Sequence, residues 1–211
     1  MHPPLFTDRL DAGRALGAAV AGRWPGAVIL GLPRGGVPVA AGVAAALGAP
    51  LDVFVVRKLG APEHPELAVG AIASGGVRVV NDDVVTRLGV PADVLEQVAA
   101  RELVELQRRE HAYRGDRTPV DVTGRTAVVV DDGLATGATV HAAVVALRAL
   151  RPDRVAVAVP VGAPDAVARL QEVADDVVCL HAPPSFRAVG AWYRDFTQTT
   201  DDEVRALLGH A

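Results

Sequence analysis

Short aliphatic runs recur along the chain, separated by stretches whose apolar residues fall three or four apart. Ala27-Val28-Ile29-Leu30, Asp52-Val53-Phe54-Val55-Val56, Val128-Val129-Val130, Val155 to Val159 and Asp176 to Leu180 read as strands. Runs without polar alternation suit strands buried on both faces, as in parallel sheets. Between them, Asp8 to Trp24 repeats Leu10, Gly13, Gly17, Val20 and Trp24 at helical intervals, and the two glycines predict a close approach to another element. A second helix opens near Val37, with Pro38 in its first turn, where a missing N–H costs nothing. Pro91 to Tyr113 is a long helix with an apolar stripe of Leu95, Ala99, Leu103 and Leu106 and the pairs Arg101/Glu105 and Glu105/Arg109 on its wet face. Helices are also expected from Thr139, with Ala142, Val145, Ala146 and Ala149 on one stripe, and over Pro164 to Ala174. Ala68–Ala73 and Val77–Val80, joined by Ser74-Gly75-Gly76, form a hairpin.

Strands alternating with helices imply an α/β fold: a central, mostly parallel sheet flanked by helices, with ligands at the carboxyl ends of the strands. A chain of 211 residues fits one domain, with a core over about 8–180 and a tail over 181–211. Gly35 to Leu51 carries no charge, but Pro38, Gly42, Gly48 and Pro50 interrupt it, and a buried helix explains it better than a membrane span.

Composition narrows the chemistry. Half the residues are hydrophobic while only 4% are aromatic, so the core must be Val, Leu, Ile and Ala. A net charge of −4 without a basic cluster argues against nucleic acid. Cys179 is the single cysteine and reads as buried filler; no internal disulfide is available, and no secretory pattern opens the chain, so a cytoplasmic location is expected. Four of the eight aromatics, Phe186, Trp192, Tyr193 and Phe196, fall close together in the tail beside Arg187, Arg194 and Asp195.

The stretch with the most chemistry is Val128-Val129-Val130-Asp131-Asp132-Gly133-Leu134-Ala135-Thr136-Gly137-Ala138-Thr139. It runs from strand to acidic pair to small-residue turn to helix. Small residues let backbone amides approach an anion, and a helix N-terminus adds unpaired donors and the positive end of its dipole. Two carboxylates beside a phosphate cradle need hydroxyl donors for partners, so a sugar phosphate is the natural ligand. Leu32-Pro33-Arg34-Gly35-Gly36 makes a second small-residue turn into a helix, this time with a guanidinium, and suits a diphosphate. The nucleoside-triphosphatase cradle Gly-x-x-x-x-Gly-Lys-Ser/Thr is missing.

The central stretch resembles the phosphoribosyl-pyrophosphate signature of type I phosphoribosyltransferases. The resemblance implies that Asp131 and Asp132 hold the ribose hydroxyls and that Ala135, Thr136, Gly137, Ala138 and Thr139 hold the 5′-phosphate, with Gly133 and Leu134 between them part of the same substrate-binding stretch. Arg34, Gly35 and Gly36 correspond to the diphosphate turn. Arg57 and Lys58, expected at the carboxyl end of the second strand, would offset charge on the departing diphosphate. With Asp132 they are the candidate catalytic groups. The proline-broken segment after Lys58 corresponds to a mobile loop, in which Glu63, His64 and Glu66 are candidate proton-transfer groups. Phe186, Trp192 and Tyr193 would wall an acceptor pocket in a hood made from chain ends.

Ala135 stands where the 6-oxopurine branch carries a base-contacting aspartate, so the loop is closer to the adenine and orotate branches. Over nearly its full length the chain resembles uncharacterised bacterial phosphoribosyltransferase-like proteins that share Leu-Pro-Arg-Gly-Gly and a late Gly-x-Trp-Tyr-x-Asp-Phe segment. The implied activity is transfer of a 5-phosphoribosyl group to a nitrogenous acceptor with release of diphosphate. Mg²⁺ would be carried by the donor, since no His/Asp/Glu cluster forms a metal cage. A donor-sensing regulator and a ribosyl-phosphate hydrolase are the alternatives, and a homodimer is compatible with either.

Overall fold

The alternation of strand and helix is realised in a computed structural model, which describes residues 3–61 and 68–209. The elements run α1 (Arg9–Ala19), β1 (Val28–Gly31), α2 (Gly36–Leu47), β2 (Leu51–Val53), β3 (Val56–Gly60), β4 (Ala68–Ala73), β5 (Val77–Val80), α3 (Asp82–Leu88) and α4 (Ala92–Arg114). They continue as β6 (Thr126–Val130), α5 (Ala138–Arg148), β7 (Arg154–Val161), α6 (Pro164–Gln171), β8 (Asp176–His181) and α7 (Asp201–Gly209). Five strands form one parallel sheet in the order β2-β1-β6-β7-β8. β3, β4 and β5 form a separate antiparallel sheet, in which the expected hairpin turns at Ser74–Gly76.

Successive side chains of a strand point to opposite faces, and β6 shows the consequence. Val128 and Val130 join the core under α1, α2, α4 and α7, while Ala127 and Val129 join the one under α5 and α6. α1 crosses α2 closely, as its glycines predicted: a Cβ on Gly13 would come within 2.7 Å of Val39 O, and one on Gly17 within 2.6 Å of Gly42 O. Gly35 to Leu51 is indeed a buried helix in its middle, with Val37, Val39, Ala40 and Val43 fully covered. Among the described residues, no helix is long and apolar enough to cross a membrane.

Three expectations need correction. The second strand does not run to Val56: β2 stops at Val53, and the chain leaves the parallel sheet at Phe54 and Val55. The buried Ser74 holds both polar groups of Val55, its hydroxyl accepting from Val55 N at 2.8 Å and its amide donating to Val55 O at 2.9 Å. Arg57 and Lys58 therefore lie inside β3, not at a carboxyl end of the parallel sheet. On α5 the buried stripe is Val140, Ala143, Val144 and Leu147 with Ala146, while Ala149 is exposed and Ala142 and Val145 are only half-buried. Its sequence is apolar nearly all round, so periodicity alone does not choose the face. Cys179, on β8, is only half-buried; its thiol donates to His181 O at 3.2 Å, and burial pushes it up to about 11.

Candidate active site

β6 is the middle strand of the parallel sheet, and its chain emerges from the carboxyl edge straight into Asp131 and Asp132. The loop beyond is pinned rather than free. Leu134 is buried and bridges to Gly162 after β7, donating to Val161 O at 2.9 Å and accepting from Ala163 N at 2.8 Å. Gly137 then takes a positive φ of 72°, a conformation that favours glycine, to turn the chain into α5. The first amides of α5 have no intrahelical acceptor; that of Ala138 turns back to Thr136 Oγ1 at 3.3 Å. Thr136 and Thr139 are exposed, and Arg169 of α6 steadies the loop by donating to Thr136 O at 3.1 Å. The result is a turn held at both ends, with two exposed threonines beside two carboxylates.

The Arg34 turn meets this loop directly. β1 pairs with β6, and the pairing continues one residue further as Leu32 N donates to Val130 O at 2.9 Å. The peptide between Pro33 and Arg34 is cis. A Cβ on Gly35 would land on Asp132 Oδ2 and sit 3.0 Å from Arg9 Nε; one on Gly36 would lie 2.9 Å from the Cα of Asp131. The two glycines are what allow the turns, a hundred residues apart in the chain, to touch. The Arg34 side chain points away from the acids, towards Asp201 at 3.4 Å, and lines a polar cavity of about 220 Å³ with Arg108, Arg109 and Tyr113. Burial, and then Asp201, raise the Tyr113 hydroxyl above its ordinary value.

The acids carry an unresolved charge. Burial first, and then the neighbouring Asp132, push the Asp131 carboxyl well above the usual carboxylate range, against the Asp132 amide that donates to its Oδ1 at 2.9 Å. Asp132 is raised by burial too, but here a cation opposes the shift: Arg9 Nε donates to Oδ2 at 2.8 Å. Arg9 was missed in the sequence. Its guanidinium also donates to Thr197 O at 2.7 Å and lies 3.9 Å from the centre of the Phe196 ring. Tyr193 donates its hydroxyl to the backbone carbonyl of Asp132 at 2.6 Å. Both chain ends thus close on the acid loop, tied together where Phe6 pairs with Tyr193 and its carbonyl accepts from Arg194 N at 2.9 Å.

The remaining candidates are dispersed. Arg57 is held by Glu102 of α4 at 2.6 Å, and Lys58, its neighbour on β3, is exposed. Glu63, His64 and Glu66 lie outside the described residues. Trp192 and Tyr193 are core residues, 7% and 5% exposed, and Phe186 stacks on Trp192 with ring centres 6.4 Å apart. Trp192 and Tyr193 also edge a cavity of about 680 Å³ shared with Pro4, Ser185, Arg187, Ala191 and Arg194. Among the described residues no cluster of three or more His, Cys, Asp or Glu side chains is arranged to hold a metal ion.

A family model described as phosphoribosyl transferase domain matches residues 62–193. A Mycobacterium tuberculosis protein, Rv0571c, provisionally named a phosphoribosyl transferase, is 55% identical over 210 residues, which are 98% of this chain and 47% of the relative. The chain therefore spans about half the length of the curated relatives it matches. The crystal structure of TT1426 from Thermus thermophilus shares 46% identity with a TM-score of 0.87, over 96% of this chain and 97% of that one.

Proposed function

The chain belongs to the phosphoribosyl transferase domain family, and from that premise we propose that it binds phosphoribosyl pyrophosphate at the carboxyl edge of the parallel sheet and transfers the 5-phosphoribosyl group to a nitrogenous acceptor. The observation that carries this reading is the contact between the two turns, Gly35 on Asp132 and Gly36 on Asp131, with the α5 N-terminus directly after the acids. One ligand with an anion at each end and hydroxyls between them matches that order.

Asp131 and Asp132 accept hydrogen bonds from the ribose hydroxyls. The loop from Ala135 to Thr139 takes the 5′-phosphate through backbone amides and the hydroxyls of Thr136 and Thr139. Gly35 and Gly36 bring backbone against the diphosphate, and Arg34 supplies charge to it after exchanging Asp201 for diphosphate oxygens. Mg²⁺ bound to the donor, not to residues of this chain, would offset part of the donor's negative charge. As the bond from C1 to diphosphate lengthens, positive charge grows on the ribose and negative charge on the leaving oxygens; the acids face the first and the Arg34 turn the second. The acceptor nitrogen attacks C1 from the opposite side, with inversion. Lys58 adds cationic support, and Arg57 does so once released from Glu102. Phe186, Trp192 and Tyr193 belong to the acceptor side of the site, with Tyr193 nearest the acids.

Calorimetry with Mg²⁺ and phosphoribosyl pyrophosphate, followed by diphosphate-release assays over a panel of nitrogenous bases, tests the proposal. Donor binding and acceptor-dependent release are expected. Tight binding without release for any acceptor would replace transfer with sensing, and release without an acceptor would mark a hydrolase.

A further inference from the structure

Arg9 is the feature of the site that the roles above leave unused. It occupies the first residue of α1, where a cation opposes the helix dipole instead of complementing it. Its side chain is nevertheless held from three directions: by Asp132 Oδ2, by Thr197 O and by the face of Phe196. Both members of the ion pair are largely covered, at 11% and 15% side-chain exposure, so the pair is not a loose surface contact. Gly35 makes room for it, since a side chain there would strike both partners.

A carboxylate has acceptor capacity on two oxygens. Arg9 takes Oδ2, which leaves acceptor capacity on Oδ1 for a further donor. The Tyr193 hydroxyl fixes the backbone of the same residue from the other side. From this we infer that Arg9 is a positioning residue: it locks Asp132 in one orientation, so that Oδ1 is presented to a ribose hydroxyl. The inference rests on the reading of Asp132 as a ribose contact.

The groups facing Asp132 are Asp131 on its own loop, Arg9 on α1, Tyr193 on the tail and Gly35 of the turn whose Arg34 side chain pairs with Asp201, with Asp195 acting on Arg9 from beyond. Arg9 is the cation of this set. Removing it leaves a desolvated carboxyl beside a second carboxyl, which takes up a proton at higher pH.

The test compares wild type with Arg9→Gln and Arg9→Lys in two measurements. Calorimetry with Mg²⁺ and phosphoribosyl pyrophosphate is run between about pH 6 and 9, and ¹³C-carboxyl NMR, assigned by the Asp132→Asn spectrum, follows Asp132 without ligand. Expected is a loss of donor affinity of about tenfold or more in Arg9→Gln near neutral pH. That loss should shrink as pH rises, with an upward shift of the Asp132 titration and partial rescue by Arg9→Lys. Arg9→Lys retains a cation, and it carries the test if Arg9→Gln does not fold. Wild-type affinity in the variants at every pH would overturn the inference. So would a pH-independent loss with the Asp132 titration unmoved, which marks a purely structural arginine. If wild type itself fails to bind the donor while the titration still shifts, the donor reading falls and the control of Asp132 by Arg9 stands.

Discussion

Asp52 and the Asp131–Asp132 pair are carboxylates at strands of the same parallel sheet, each with an arginine from a helix upon it, yet they are treated in opposite ways. Asp52 is 4% exposed and saturated: its Oδ1 accepts from Val53 N at 2.7 Å and Arg114 Nε at 3.0 Å, and its Oδ2 from Val120 N at 3.0 Å. Arg114 is equally buried and spends a further donor on Val53 O at 3.1 Å. In the acid loop each carboxyl is held mainly at one oxygen, Asp132 Oδ2 by Arg9 and Asp131 Oδ1 by the Asp132 amide, which leaves acceptor capacity on the other. Completed acceptors mark a carboxylate that holds the fold, and leftover acceptors mark one awaiting a ligand.

The sharpest way to break that contrast is Asp52→Ala. It removes the nearer carboxylate from the buried Arg114 guanidinium, which keeps only Glu110 at 3.5 Å and Val53 O, and losing one partner of a buried ion pair costs about 3–5 kcal/mol. A large drop in the unfolding midpoint in urea is expected, with donor affinity per folded molecule unchanged. If the affinity fell while stability held, Asp52 would belong to the site and the distinction between completed and incomplete acceptors would fail.

The reverse outcome is expected for Asp132→Asn. The amide keeps an oxygen for Arg9 and preserves the shape of the loop, so the thermal midpoint should stay close to wild type. What is lost is a charged acceptor for a hydroxyl, worth about 1.5–3 kcal/mol, or roughly ten- to a hundredfold in donor affinity. Calorimetry and melting curves on the same preparation separate the two effects; donor affinity equal to wild type would remove Asp132 from the ribose contact.

The contrast also explains what the sequence reveals. Asp131 and Asp132 stand out because two adjacent acids at the end of a Val-Val-Val strand are expensive without a purpose, and the strand, the loop and the helix are contiguous. The parallel sheet is equally legible, because unbroken aliphatic runs have few other uses. Asp52 begins such a run and gives no sign that its partner lies 62 residues on, in the last turn of α4. Arg9 is 123 residues from Asp132, and its only local mark is a cation where a helix prefers an anion. The departure of β3 from the parallel sheet depends on Ser74, a hairpin away from Val55. α7 is different, since its signal is local. Thr200 and Glu203 form a capping box, with Thr200 N donating to Glu203 Oε2 at 2.7 Å and Glu203 N to Thr200 Oγ1 at 3.2 Å.

The smallest expected effect is the one that measures the cost of the open acceptors. Asp131→Asn removes a carboxyl whose ionisation is opposed by burial and by Asp132, while an amide of the same shape stays on the loop. The folded carboxyl titrates above its unfolded value of about 3.9, so below that value both states are protonated and the charge costs nothing. As pH rises from there towards the folded value, the unfolded chain ionises first and the wild type loses stability relative to the variant. Adjacent carboxyls titrate as a pair, so the change is spread over a broad range. Melting curves should therefore show Asp131→Asn matching wild type near pH 4 and exceeding it by a few degrees near pH 7, about 2–4 °C per kcal/mol for a chain of this size. A gap that closed with rising pH would mean that the loop stabilises the anion without a ligand, and the acid pair would then resemble Asp52 after all. A gap that opens assigns the instability to burying two adjacent carboxyls, and saturating donor should narrow it by binding wild type more tightly than the variant.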